Sequence, residues 1–221
     1  MIRVDGLIVD GDDRVGEGGF LAIRRLHLRN ARGDGSTSPP YVCDVIARPY
    51  GQDAVVVAVF SRDRVLLRQC LRPALVFGRD ADAAPLPEPA PELMLEELVA
   101  GIVEVGDRGE LGLRARAAAE VREEAGFTVD PEAVILLGAG MLPSPGCMVE
   151  KFYFTAVEVD PDAQHAPVGD GSPMEEGAST RWISIDDAID ACVRGELCDL
   201  KTELGVRRLR EHLATARGAA G

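Results

Sequence analysis

The least polar stretch of the chain is a run of seven apolar residues over 54–60, AVVVAVF. A run so short and so rich in β-branched residues predicts a strand covered on both faces. After a four-residue turn over 61–64, residues 64–69 supply a second strand. Over 150–159, EKFYFTAVEV, the apolar positions alternate, with Phe152, Phe154 and Ala156 on one face and Tyr153, Thr155 and Val157 on the other. Further strands are expected over 20–28, 41–47, 97–103, 133–137 and 181–185, where Trp182 is expected to pack against core or sheet.

Helical signals are fewer. Residues 114–125 hold no Gly or Pro, and Gly126 follows as a stop. Ile185, Ala188, Ile189 and Cys192 form the stripe of a short helix that Asp186 or Asp187 is placed to cap. Val206, Leu209 and Leu213 give the packed face of a last helix over 201–213, and the Ala/Arg/Gly tail beyond it is expected to fray. Residues 10–17 and 30–40 read as loops, 78–92 as a Pro/Ala-rich surface insertion, and 160–180 as a long connection of the kind that carries function. The interleaved strands and helices predict an α+β fold.

The helix over 114–125 also carries chemistry. Glu120 and Glu124 are four apart and Glu123 lies three from Glu120, so at 3.6 residues per turn the carboxylates share one broad face. Like charges so close repel and raise one another's pKa. A hard divalent cation relieves that repulsion, because Mg2+ takes oxygen ligands from carboxylates and phosphates together. A solvated acidic face is the plainer reading of the same spacing.

Composition narrows the partners. The 221 residues carry 24 basic and 37 acidic side chains, a formal charge of -13. That balance argues against a nucleic-acid or anionic-membrane surface, while leaving room for a local basic pocket. Five cysteines without metal-ligand spacing, and no apolar leader or span, fit a reduced cytoplasmic protein. Three dispersed histidines exclude a His-rich zinc centre.

Residues 101–127 resemble the Nudix box, G-x5-E-x7-R-E-U-x-E-E-x-G-U, where U is a bulky aliphatic or similar residue. Glu120 to Phe127, EVREEAGF, fill its end, and Gly101 and Asp107 resemble its beginning. Two departures stand out: Ala119 replaces the box arginine, and Asp107 lies four residues too far upstream, which predicts a longer loop over 107–113. Other phrases resemble the ADP-ribose and nucleotide-sugar diphosphatases of that superfamily: Arg72-Pro73-Ala74, Ser144-Pro145-Gly146, Glu176-Gly177 and Asp199-Leu200-Lys201-Thr202.

The resemblance implies a Nudix α/β/α sandwich with a mixed sheet over 51–215, preceded by a β-rich extension over 1–50 that takes part in homodimerisation, and followed by a flexible tail over 216–221. It implies Mg2+- or Mn2+-dependent hydrolysis of ADP-ribose or a nucleotide-sugar, UDP-sugars among them. Glu120, Glu123, Glu124 and the main-chain carbonyl of Ala100 would be metal ligands. Glu175 or Glu176 would be the base, with Glu123 an additional catalytic candidate, and Arg72, Ser144, Gly146 and Glu150 would contact substrate. Ala119 also motivates a second reading, a Nudix-like module that binds a nucleotide without hydrolysing it.

Overall fold

The apolar run over 54–60 forms the central strand of a seven-stranded sheet, and five of its seven residues are wholly excluded from solvent. The computed structural model describes residues 4–16, 19–48, 53–77, 85–86, 92–169 and 171–219. They fall into two compact units, residues 1–53 with 141–151, and residues 54–140 with 152–221. Apart from 85–86 and 92, the segment over 78–92 lies outside the described residues.

The first unit contains an antiparallel sheet of β1 (Val4–Val15), β2 (Ala22–Arg32) and β3 (Tyr41–Ala47). Residues 10–15, expected as a loop, continue β1 instead; Glu17 lies outside the described residues. Cross-strand pairing explains the difference. Arg29 meets Asp10 at 2.6 Å through both Nε and Nη2, and His27 Nε2 lies 3.0 Å from Asp13 Oδ2. Opposite charges on facing strands support a ladder that composition alone disfavours. Likewise β2 runs on to Arg32, through the start of the expected loop.

In the second unit β4 (Ala54–Ser61) and β5 (Arg64–Leu71) pair at their hairpin end and then diverge. The single strand expected over 97–103 is two strands that fill the gap. β6 (Met94–Glu97) pairs with β5, and β7 (Val99–Ile102) pairs with β4. Leu98 is the crossing point: its amide leaves the ladder and donates to Thr202 Oγ1 at 2.9 Å. On the far side of β4 the parallel strand β9 (Phe152–Glu158) and the short β8 (Ile135–Leu136) follow, and β10 (Ser179–Ser184) closes the other edge against β5. The sheet is therefore mixed, as the resemblance implies.

Each face of the sheet carries its own core. Val55, Val57, Val59 and Leu66 pack under α2 (Gly109–Glu120) and the turn that prolongs it. Val56, Ala58, Phe154 and Ala156 pack under α3 (Ile185–Arg194) and α4 (Leu200–Ala219), past a short α1 (Pro73–Phe77) in the chain. The result is a helix, sheet, helix sandwich of the α+β class. Phe152, Phe154 and Ala156 share the α3/α4 side, as the alternation predicts, and Trp182 packs edge-on against Phe127 at 6.4 Å.

Three helix boundaries differ from expectation. α2 begins at Gly109 inside the expected 107–113 loop, steadied by the Glu110–Arg114 pair four residues apart. The cap of α3 is Ser184, which accepts from Asp187 N at 3.1 Å, while Asp186 and Asp187 sit in the first turn, where negative charge favours the dipole. α4 continues to Ala219 rather than fraying after 213; its Ala and Arg residues favour helix, and Arg207 pairs with Glu203. No helix among the described residues is long and apolar enough to cross a membrane.

The phrase Asp199 to Thr202 is a clamp on the strand crossing. Thr202, wholly buried, donates to Asp199 Oδ2 at 2.5 Å while accepting from Leu98, and Lys201 Nζ lies 2.6 Å from Glu97 Oε2. Thr202→Val orphans the buried Leu98 amide, so a loss of about 1–3 kcal/mol is expected in denaturant unfolding, against a smaller loss for Thr202→Ser. Equal stability of the wild type and Thr202→Val would remove the clamp.

Candidate functional site

The helix that carries the glutamates changes pitch where they begin. α2 ends at Glu120, and Val121–Ala125 form a π-turn closed by Gly126, whose φ of 76° is left-handed. Isolated π-turns recur at functional sites because they re-aim side chains that a regular helix would space evenly. Glu120 and Glu124 turn inward, with side chains only 12% and 13% exposed, whereas Glu123 stays nearer solvent beside Arg122. The three carboxylates thus follow the expected order along the helix but divide into an inner pair and a rim residue.

Glu120 lies against the backbone of Gly101 on β7. A Cβ at that position would stand 1.8 Å from Glu120 Oε1, so only glycine lets strand and carboxylate approach this closely. Arg116, one turn before, reaches Glu120 at 3.9 Å and is itself held by Asp107 and Glu104, each at 2.8 Å. Asp107 accepts the Glu104 amide as well, so the acidic residue upstream of the helix shapes the turn into α2.

Glu124 is held at both oxygens. Its Oε2 accepts the Ala100 amide at 3.1 Å, and its Oε1 pairs with Arg68 Nη1 at 2.8 Å. Ala100, whose carbonyl the resemblance implies as a metal ligand, meets this carboxylate through its amide. Arg68 is buried in the middle of β5, and its Nη2 pairs with Glu175 Oε1, also at 2.8 Å. Glu175 ends the short 3-10 turn Pro173–Glu175, while Glu176 is exposed. Of the two base candidates, Glu175 is the one brought to the cluster.

Burial sets the charge state of the inner pair. Loss of solvent, with Glu124 and Glu123 close by, pushes the Glu120 carboxyl up to about 7. Loss of solvent does the same to Glu124, to about 7, although Arg68 and the Ala100 amide pull the other way. Two inward carboxylates raised this far are under-neutralised, and such oxygens fit a hard divalent cation. Even so, no three His, Cys, Asp or Glu side chains among the described residues converge as a ready-made metal cluster, because Glu124 is turned to Arg68 and Ala100.

Arg72 lies in a second ionic group. It pairs with Glu97, whose carboxylate is almost wholly buried, and keeps about a third of its side chain exposed. Burial alone would push the Glu97 carboxyl up; Lys201 and Arg72 outweigh it and hold it below its ordinary value. Cys70 Sγ lies 3.2 Å from the same carboxylate, and burial beside that charge pushes its thiol up to about 11. The remaining predicted residues belong to the first unit. The Ser144 carbonyl accepts the amides of Cys147 and Met148 in a turn, and Gly146 is exposed there with open space around its Cα. Glu150 is buried and pairs with Arg48 at 2.9 Å.

Arg68, Glu97, Lys201 and Gly101's contact were not assigned as site features from the sequence. One signal was present: Arg68 shares the strand parity of Leu66, a core position, and a charge at a core-facing position needs a buried partner.

No family model matches the chain, and no curated protein sequence matches it. Among solved structures the fold is similar to that of a chain described as an ADP compounds hydrolase, with a TM-score of 0.70, 13% identity, and coverage of 96% of this chain and 97% of that one.

Proposed function

We propose that the chain hydrolyses the diphosphate linkage of ADP-ribose or a nucleotide-sugar in the presence of Mg2+ or Mn2+. The observation that carries this reading is the buried, under-neutralised pair Glu120 and Glu124, set against the Gly101 backbone and within one guanidinium of Glu175. The likeness in fold to an ADP compounds hydrolase supports it.

Glu120 and Glu124, with Glu123 at the rim, are the residues to hold the cation. A divalent ion there supplies charge to the phosphoryl oxygens and lowers the pKa of a bound water. Glu175 is the base: it takes a proton as the water oxygen bonds to phosphorus and the bridging P–O bond breaks. ADP-ribose then gives AMP and ribose 5-phosphate, and a nucleotide-sugar gives a nucleoside monophosphate and a sugar 1-phosphate. Arg72, about a third exposed beside Glu97, offers a guanidinium to phosphate oxygens. Arg116 and Arg68 supply the positive charge beside the carboxylates that Ala119 does not.

A second reading, a module that binds the nucleotide without turnover, is favoured by the hold of Arg68 and the Ala100 amide on Glu124. A carboxylate that already meets a donor at each oxygen offers a cation less of its charge, although a lone pair remains on each.

Purified protein with Mn2+ or Mg2+ is expected to release nucleoside monophosphate from at least one of ADP-ribose, ADP-glucose, UDP-glucose and GDP-mannose. Calorimetric binding without product would select the second reading. Glu124→Gln is expected to keep the fold by circular dichroism and lower turnover by about 100-fold or more, the scale of a lost electrostatic element; unchanged turnover would take Glu124 out of the mechanism. The charge state of the inner pair gives a third outcome. With carboxyl pKa values raised from 4.5 to about 7 on folding, the folded state holds more protons in that window, so these groups lower stability as pH rises through it. The melting temperature in EDTA is expected to fall between those pH values less steeply in Glu120→Gln, and parallel curves would refute the burial of this charge.

A further inference from the structure

We propose that Arg68 is a positioning residue that couples the Glu124 carboxylate to the loop bearing Glu175, so that Glu175 governs cation binding at Glu124 without touching the ion. The cation half of this inference rests on the proposed function; the coupling itself does not.

Arg68 stands on β5 with its guanidinium out of water, so every charge it meets is supplied by the fold. Among the described residues it pairs with two, one at each terminal nitrogen: Glu124 from the π-turn and Glu175 from the connection before β10, both at 2.8 Å. A planar fork can serve two acceptors at once in a way that an ammonium, a single point of charge, cannot.

The connection that delivers Glu175 is also fastened to the turn that delivers Glu124. Gly169 N donates to the Glu123 carbonyl at 2.9 Å, His165 N to the Gly126 carbonyl at 2.9 Å, and the Gln164 side-chain amide to the Ala125 carbonyl at 3.0 Å. Gln164 reaches Thr180 Oγ1 on β10 at 3.1 Å as well. These are the carbonyls that a helix end leaves without partners. A Cβ on Gly126 would lie 2.0 Å from the His165 carbonyl oxygen, so the loop and the turn are in direct contact. Loop and helix therefore share a backbone seam and one guanidinium.

The consequence is competition. Arg68 and a divalent cation both seek Glu124, and Arg68 gives up its share at lower cost while Glu175 holds its other nitrogen. Without the Glu175 charge, Arg68 rests wholly on Glu124 and opposes the cation. Linkage makes the effect reciprocal: cation at Glu124 strengthens the Arg68–Glu175 pair and secures the loop.

The test is a cycle of wild type, Glu175→Gln, Arg68→Lys and the double variant, with Mn2+ dissociation constants measured by electron paramagnetic resonance on folded protein. Arg68→Lys keeps the charge and removes the fork, which separates bridging from simple attraction between Glu175 and the ion. Glu175→Gln is expected to weaken Mn2+ binding about fivefold or more in the wild type, and to change it by less than about twofold in the Arg68→Lys background. An equal factor in both backgrounds, or no effect in the wild type, overturns the coupling while leaving metal-dependent hydrolysis standing. If the wild type binds no Mn2+, the proposed metal chemistry falls and metal-free proteolysis decides the coupling. Glu175→Gln and Arg68→Lys should each speed cleavage within residues 164–178, and the double variant no further; additive acceleration, or none, overturns it.

Discussion

A carboxylate taken out of water must meet positive charge or give up its own, and the second unit is arranged around that requirement. Three of its glutamates, Glu97, Glu120 and Glu124, sit inside or at the edge of the sandwich. Their solutions differ. Glu97 has two full cations, Lys201 and Arg72, and stays ionised below its ordinary range. Glu120 and Glu124 have one distant and one shared guanidinium, and both carboxyls are pushed up to about 7. The contrast separates a charge the fold has neutralised from a pair it has not. A satisfied ion network holds the crossing between β6 and β7 in place, and an under-neutralised one lies next to it.

The two networks are mechanically joined. The clamp of Lys201 and Thr202 fixes Glu97 and Leu98, and the next residues of β7 are Ala100, whose amide holds Glu124, and Gly101, whose missing side chain admits Glu120. A phrase near the C-terminus thus acts on carboxylates nearly eighty positions earlier, without approaching them, by fixing the strand they lean on. The site requires the strand crossing, and the crossing requires α4.

Much of this architecture could be read in the sequence, because burial leaves periodic marks. The solid apolar run over 54–60 became the central strand with a core on each side, and the alternation over 152–157 divided its residues between those cores as expected. The order of Glu120, Glu123 and Glu124 along one helix could be read from their spacing, but their division into an inner pair and a rim residue could not. What could not be read were features set by partners remote in sequence. The π-turn depends on carbonyls satisfied by residues 164–169, the split at Leu98 on a hydroxyl at Thr202, and the strand character of residues 10–13 on Arg29 and His27. Local propensity carries no record of such partners.

Arg68 is where strand parity and charge meet. Its place in VLLRQC alternates with Leu67, so one of the two had to face each core, and a guanidinium in an apolar core is tolerable only opposite acid. The helix bearing Glu120, Glu123 and Glu124 was the acidic element predicted from the same chain, and the face of the sheet beneath it was the one open to Arg68. Parity and charge balance thus mark Arg68 as a strand cation in need of buried acid, and the fold decides which carboxylates supply it. They also explain why the helix manages with Ala119: the positive charge beside its carboxylates comes from Arg116 one turn earlier and from a strand on the sheet below. Placing that charge on the strand rather than on the helix leaves it free to serve a second carboxylate, and Glu175 is the one the fold supplies.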